Sequence, residues 1–495
     1  MRNQTMGKLV LALLIVFVLS AGSALQAQTY QQLAVFNGTN GSFPQAPVVQ
    51  GLDGNLYGTT KTGGVGDCPS NCGTIFKMTP QGELSTVYEF CKKGGNCIDG
   101  FFPVAALVLG KDGNFYGTTS GGGKIPKGDS GVPSGTLFKL TAEGKFHTIY
   151  SFCKTWPCPD GALPESALIQ GTDGDFYGTT YGGGVNGNFG TIFKVTPAGV
   201  LTTLYSFCPD KSTCTDGELP TAGLVQASDG NFYGVAQRGG ICLENPCDPF
   251  LNGGVLFRIT PEGAYTVLYS FCSQANCADG SNPSAPLVAA SDGNLYGTTI
   301  YGGGEIAGTT FKISTSGTFT PLDGSGFFYP NGIIQATDSN FYGTTQNGGA
   351  VNSGSVFQMT ATGRLTFEYS FCNCGTDGEG PAAAVFQATN GILYGTTTGG
   401  FGSSSDGTVY SLSMGMTPFV QAVPNVGKGG NTIKIIGTEL AGVSKVTFNG
   451  LMTTYTQISD TEITAKVPRK ATSGLIQVTV PSGTLSSSVP FQVIK

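Results

Sequence analysis

Asp53-Gly54-Asn55-Leu56-Tyr57-Gly58-Thr59-Thr60 (DGNLYGTT) is the stretch whose reading decides the fold. It returns as DGNFYGTT at Asp112, DGDFYGTT at Asp173, DGNFYGVA at Asp229, DGNLYGTT at Asp292, DSNFYGTT at Asp338 and NGILYGTT at Asn390. The aligned tyrosines, Tyr57, Tyr116, Tyr177, Tyr233, Tyr296, Tyr342 and Tyr394, lie 59, 61, 56, 63, 46 and 52 residues apart. Seven copies at such a period point to a repeat architecture built from one supersecondary unit.

The third copy shows what the unit is. Ala167 to Gln170 is a short apolar run, and a turn leads into Phe176 to Thr180. A Gly-rich loop, Gly182 to Gly190, precedes Thr191 to Thr196, and Pro197-Ala198-Gly199 turns into Leu201 to Phe207. Apolar, β-branched and aromatic runs bounded by Gly, Pro and Asp are strand signals, and nothing in the unit has a helical period. Seven four-stranded antiparallel units leave exposed edges unless the array closes. The sequence therefore predicts an all-β fold, a seven-bladed β-propeller, over residues 28–414. Its seventh unit stops after a third strand at Gly407 to Ser413, whereas Tyr30 to Phe36 matches the fourth-strand pattern. The N-terminal strand is thus expected to complete the last blade.

Composition follows from the repeat. The 495 residues include 78 Gly but only 11% charged residues, one Trp and one His, at a net charge of −6. Gly without a strict period of three excludes collagen, and 39% hydrophobic residues exclude a disordered chain. A single histidine excludes a His-rich metal site and argues against a Ser-His-Asp hydrolase. Twelve acidic residues are Asp at repeating turns (Asp53, Asp112, Asp173, Asp229, Asp292, Asp338, Asp99, Asp160, Asp216, Asp279, Asp323 and Asp377), so the negative charge is weak evidence about partners.

Residues 1–27 carry Arg2 and Lys8, then an apolar run from Leu9 to Leu19, then small residues to Ala27. This is the pattern of a secretory signal peptide, and the run is too short for a membrane span. The mature chain is expected to be exported, to the periplasm, cell surface or exterior, with no transmembrane segment. The cysteines fit that compartment. They fall into near neighbours Cys68/Cys72, Cys91/Cys97, Cys153/Cys158, Cys208/Cys214, Cys242/Cys247, Cys272/Cys277 and Cys372/Cys374, which read as small disulfide staples rather than zinc ligands. The Cys372-Asn373-Cys374 ring is small enough that its closure stays open.

The repeat pattern, DG…P…LV…DGN-(L/F)-YGTT…GG…GT-(V/I)-F-K, resembles the GloVer (Gloeo/Verruco) tandem repeat of secreted bacterial proteins, over about residues 30–414. That resemblance implies compartment and fold, not an activity. Val235-Ala236 and Asn390 depart from the pattern and read as drift. From about Thr417 the cysteines cease, and residues 417–495 resemble an IPT/TIG domain, an Ig-like β-sandwich. The matching positions are Gly430, Ile435, Gly437, Val446, Phe448, Gly450, Ile463, Val467, Pro468, Gly474, Val478 and Phe491. In exported proteins such a domain implies spacing, adhesion or carbohydrate association.

In a four-stranded meander the long loops and the unit-to-unit connections share one face, and loops on a rigid scaffold concentrate binding residues. Candidate contacts there are Trp156, Tyr181, Tyr301, Phe102 and Phe328, with Phe101, Phe327 and Tyr329 beside them; the bland alternative is that these rings pack the loops down. Gln50, Gln170, Gln226, Gln335 and Gln387 share one position and are expected to bond between units. The Asp-Gly pairs read as turn chemistry rather than calcium ligands. His147 lies on an outermost strand. Glu165, Glu218 and Glu379 could serve a glycosidase, but no spacing selects a pair. The sequence calls for no cofactor, no metal and no nucleic acid, and leaves the oligomeric state open. It favours a non-catalytic binding or structural protein taking a polysaccharide or a surface protein; a secreted polysaccharide lyase or glycoside hydrolase is the alternative.

Overall fold

The structure is a computed structural model. It describes residues 28–65, 72–92, 95, 97–124, 134–211, 213–241, 253–303, 308–322, 329–371, 377–399 and 406–494. The expected signal peptide, residues 1–27, lies outside the described residues.

Each repeat forms one four-stranded antiparallel sheet in sequence order. In the third, Ile169–Gln170, Phe176–Thr180, Thr191–Val195 and Leu201–Ser206 run from one edge to the other. The second strand is wholly buried, the third is buried except for Lys194, and the outer strand is half-exposed. Gly178 explains why Tyr-Gly-Thr-Thr recurs. A Cβ there would lie 2.7 Å from Cζ of Phe193, whose ring covers the bare backbone of its cross-strand partner. The last Thr of the motif is equally constrained: Thr180 and Thr191 pair their buried hydroxyls at 2.8 Å.

The seventh sheet joins Phe386–Gln387, Leu393–Thr397 and Thr408–Ser413 to Thr29–Val35, so its outer strand comes from the N-terminus. Tyr30 stacks on Tyr369 at 4.1 Å, and Phe36 is fully buried against Phe76.

The expected seven-bladed propeller is corrected by these sheets. Each is open and four strands wide, and none curls or closes into a barrel. Closure of that kind needs a continuous ladder. Here pairing ends at each outer strand, because a long connection follows and the next inner strand pairs over as few as two residues. Successive sheets instead meet through side chains. Gln170 Oε1 accepts from Lys111 N–H at 2.8 Å, and its Nε2 donates to Gly174 O at 2.8 Å. Gln226, Gln335, Gln387 and Gln50 bond in the same way, Gln50 accepting from Thr389 N–H of the seventh repeat at 2.9 Å. These glutamines bond between repeats, as their shared position suggests.

The C-terminal strands form two four-stranded sheets and a short parallel pair, Val426–Lys428 with Gln492–Ile494. Of the two sheets, one orders Val420–Val423, Thr432–Gly437, Glu462–Lys466 and Tyr455–Gln457; the other orders Leu451–Met452, Lys445–Phe448, Ile476–Val480 and Gly483–Ser486. Ile433, Ile435 and Ile463 of the first pack against Val446, Phe448, Ile476 and Val478 of the second in one core. This sandwich touches the Asp53-Gly54 turn of the first repeat and the Asn390-Gly391 turn of the seventh: Thr461 Oγ1 donates to Leu52 O, and Phe419 N–H to Thr389 O, both at 2.9 Å.

Candidate functional site

The turn that opens each second strand is an electrostatic knot. Asp112 accepts from Tyr116 OH at 2.8 Å, from Asn114 Nδ2 at 2.7 Å and from Lys139 Nζ at 2.8 Å. Burial alone would raise its pKa, but these donors outweigh burial and hold the carboxyl down to about 2. The position opposite the tyrosine is Lys77, Lys139, Lys194, Arg258 or Lys312 in five repeats, but Ser411 in the seventh. There the acid is also gone, and Asn390 Nδ2 donates to Tyr394 OH at 2.8 Å. In the seventh repeat acid and base are replaced together, whereas the sixth keeps Asp338 on Tyr342 with Gln358 opposite the tyrosine. These turns are structural.

The second Asp series organises the opposite, long-loop face, and turn chemistry understates it. Asp99 Oδ2 accepts from Tyr88 OH at 2.8 Å and Cys91 N–H at 3.0 Å; Asp216 Oδ2 accepts from Tyr205 OH at 2.7 Å and Cys208 N–H at 3.1 Å. Each carboxylate thus pins a stapled loop to the outer strand of its own sheet. Disulfides join Cys91–Cys97, Cys153–Cys158, Cys208–Cys214 and Cys272–Cys277, with Cα atoms 4.0 to 4.6 Å apart. Cys72 is disulfide-bonded as well. Cys68, Cys242, Cys247, Cys372 and Cys374 lie outside the described residues. All eight cysteines of the four pairs have φ between 43° and 65°, a conformation that disfavours a Cβ and that the crosslink holds in place.

Outer strands of neighbouring sheets meet through a tyrosine of one and a ring of the next. Tyr88 stacks on Phe146, Tyr205 on Tyr265 and Tyr269 on Phe319, each at 4.0 Å, and Tyr369 stacks on Tyr30 at 4.1 Å. Between the second and third repeats the tyrosine remains, as Tyr150, but its opposite position is Leu201. A leucine cannot fill an aromatic ring's place, and an open cleft of about 600 Å³ lies here. Its lining includes Tyr150, Pro159, Asp160, Val185, Asn186 and Leu201. Asp160 Oδ2 accepts from Tyr150 OH at 2.8 Å, while the buried Oδ1 has no hydrogen-bond partner among the described residues. Lys154 Nζ sits 4.0 Å from the centre of the Tyr150 ring.

Of the aromatic candidates, Trp156 is 64% exposed on the Cys153–Cys158 loop, which runs directly into Pro159 and Asp160 of the cleft. The others are not brought to it. Phe102 packs edge-on against Phe101 at 4.9 Å, and Tyr301 against Tyr329 at 5.6 Å. Tyr181 is half-buried beside its own sheet, donating N–H to Leu163 O at 2.9 Å. Phe328, like Phe327, lies outside the described residues. His147 is exposed on the outer strand Phe146–Ser151. Among the carboxylates, burial raises Glu165 against the opposing pull of Lys61, and burial raises Glu218 against Arg238. The cleft itself escapes a reading of the sequence. Its signal is a Leu opposite a Tyr: four aligned positions carry Phe or Tyr, and Leu84, Leu201 and Leu365 differ, but only Leu201 faces a described tyrosine, which becomes visible only once outer strands are known to face one another.

Comparison with known proteins fixes the family. The profile of the Gloeobacter/Verrucomicrobia repeat matches residues 22–170, 127–288 and 252–410, and that of the IPT/TIG domain matches residues 418–493. The chain belongs to the Gloeobacter/Verrucomicrobia repeat family. The search of curated proteins returned no match. Among solved structures, a fungal alcohol oxidase of the AA5 family, in complex with copper, is 13% identical, with 92% of this chain and 98% of that chain covered at a TM-score of 0.51. That likeness is one of fold alone. A putative gluconolactonase (13% identity, 57% and 82% covered) and a putative glucose dehydrogenase of Thermus thermophilus (15%, 78% and 100%) align at a TM-score of 0.34. Neither says anything further about the Gloeobacter/Verrucomicrobia repeats. No helix among the described residues is long and apolar enough to cross a membrane.

Proposed function

We propose that this is an exported, non-catalytic binding protein that presents its stapled loop face to a carbohydrate. The observation that carries the reading is Trp156, the chain's only tryptophan, held 64% exposed on a disulfide-closed loop that leads into Pro159 and Asp160 of the cleft. Hiding an indole is ordinarily favourable by about 25 cal/mol per Å², so a rigidly displayed one suits a ligand with an apolar face. A short crosslinked loop loses little freedom on capture, which preserves affinity. The sandwich contacts the opposite face, at the Asp53-Gly54 and Asn390-Gly391 turns, and leaves the long-loop face accessible to a ligand. A glycan array followed by calorimetry on the purified chain tests the reading. Saturable binding without products, lost in Trp156→Ala, supports it; full binding by that variant refutes the role of Trp156.

A catalytic reading has one observation in its favour, the raised Glu165 carboxyl, since a general acid needs a pKa lifted by burial. Product release from the bound polysaccharide, abolished by Glu165→Gln, would replace the binding reading with that one.

A further inference from the structure

The cleft between the second and third repeats marks the place where the pattern of ring on ring fails. Four junctions place an aromatic ring 4.0 to 4.1 Å from a tyrosine of the preceding outer strand. At the junction of the seventh and first repeats both sides are aliphatic, Ala34 and Leu84, and they pack into one core. Only at Tyr150 and Leu201, among the described residues, does a tyrosine face an aliphatic side chain, and Leu201 lies in the wall of the open cleft of about 600 Å³. That volume is within the ordinary range of small-molecule sites.

The chemistry of the walls limits what fits. Pro159, Leu201, Leu204 and Val185 offer apolar surface, and Tyr150 and Tyr205 add to the lining. Asp160 Oδ1 is buried without a donor, although the matching Asp279 satisfies both its oxygens, Oδ1 from Gln274 N–H at 3.2 Å and Oδ2 from Tyr269 OH at 2.7 Å. Asn186 spends its Nδ2 on Ser206 O and Phe207 O, which leaves its own oxygen as an acceptor. The site therefore wants a ring with an apolar face whose edge donates hydrogen bonds and carries no negative charge. The Asn186 oxygen is the acceptor that a ligand hydroxyl in the cleft can use, since Asp160 Oδ1 is itself covered.

We propose that this cleft is a subsite for one pyranose ring of a neutral polysaccharide, lying where an aromatic side chain packs at neighbouring junctions, with a sugar hydroxyl donating to Asn186 Oδ1 beside the Asp160 carboxylate. This rests on the binding reading above, and adds to it the position of the subsite and a selection against uronic acids, whose carboxylates Asp160 repels.

The test uses the full exported chain with hexasaccharides of glucose, mannose and N-acetylglucosamine against a hexagalacturonate, measured by calorimetry. The expected result is binding of at least one neutral hexasaccharide and not of the uronate. Leu201→Tyr introduces the ring found at four other junctions and should weaken that binding at least tenfold, with a melting temperature equal to or above the parent's. Should Leu201→Tyr fold poorly, Thr203→Arg closes the same cleft from a half-exposed strand position and should give the same loss. Parent-like affinity in a folded variant, or preference for the uronate, overturns the subsite. If Trp156→Ala loses binding while Leu201→Tyr keeps it, the subsite is wrong and the binding reading stands. If no saccharide binds the parent, both fall.

Discussion

Phe36→Ala is the sharpest test of the N-terminal strand's place in the fold. Phe36 is fully buried in a cluster with Leu56, Phe76 and Val409, and its N–H donates to Gly407 O at 3.0 Å. Removing a buried Phe costs about 3–5 kcal/mol, from lost transfer energy and the cavity left behind. Val35 is its neighbour, 47% exposed, and Val35→Ala should cost no more than about 0.5 kcal/mol. Urea unfolding followed by near-ultraviolet tyrosine dichroism separates the two, because Tyr30, Tyr369 and Tyr410 cluster in the seventh sheet and report on it directly. With a slope of about 3 kcal/mol/M, a loss of about 4 kcal/mol moves the midpoint by roughly 1.3 M. Val35→Ala should leave it in place. Equal midpoints for Phe36→Ala and the parent would refute the reasoning, since they would mean that residues 29–36 add nothing to the core of the seventh sheet.

Gly178→Ala should cost about 1–3 kcal/mol through collision with Phe193, read as a lower urea midpoint; an unchanged midpoint would show that the ring moves aside freely. Reducing the four described disulfides should destabilise the loop face by about 2 kcal/mol per loop in the chain-entropy account, seen as faster proteolysis there while sheet dichroism persists. Asp112 has a folded pKa of about 2, below the ordinary carboxylate value of about 3.9, so its stabilisation is present above pH 4 and disappears as pH falls through 2. Asp112→Asn should accordingly lower the melting temperature at pH 7 and converge on the parent in acid. Glu165 has the opposite sign: its raised folded pKa favours the protonated form, so Glu165→Gln should raise the melting temperature at pH 7 and change little at pH 3.5.

The strands, their order within each sheet and the sandwich's buried face were legible in the sequence because they follow local rules. Alternation, turn residues and the Asp-Gly-Asn-x-Tyr spacing act within about ten residues, and a sevenfold repeat displays them seven times over. The inter-repeat glutamines could be singled out from their shared register alone, seven residues before five of the seven tyrosines. The N-terminal strand's partner was likewise readable, because Tyr30 to Phe36 supplies the pattern that the seventh unit lacks.

Tertiary structure decided the rest. Whether the sheets close or stay open depends on connections and on two-residue inner strands, whose pairing no periodicity records, and the expected propeller did not survive that comparison. The second Asp series looked like turn chemistry because its partners, Tyr88, Tyr150, Tyr205, Tyr269 and Tyr369, stand eight to eleven residues away on an outer strand. The cleft is the clearest case. Leu201 is an ordinary strand residue by itself, and becomes a gap only against Tyr150, 51 residues earlier in the chain. The sequence by itself determined the unit, its count and the four staples described. Only the packing of one unit on the next, a matter of volumes that meet across distant positions, decided where the surface opens.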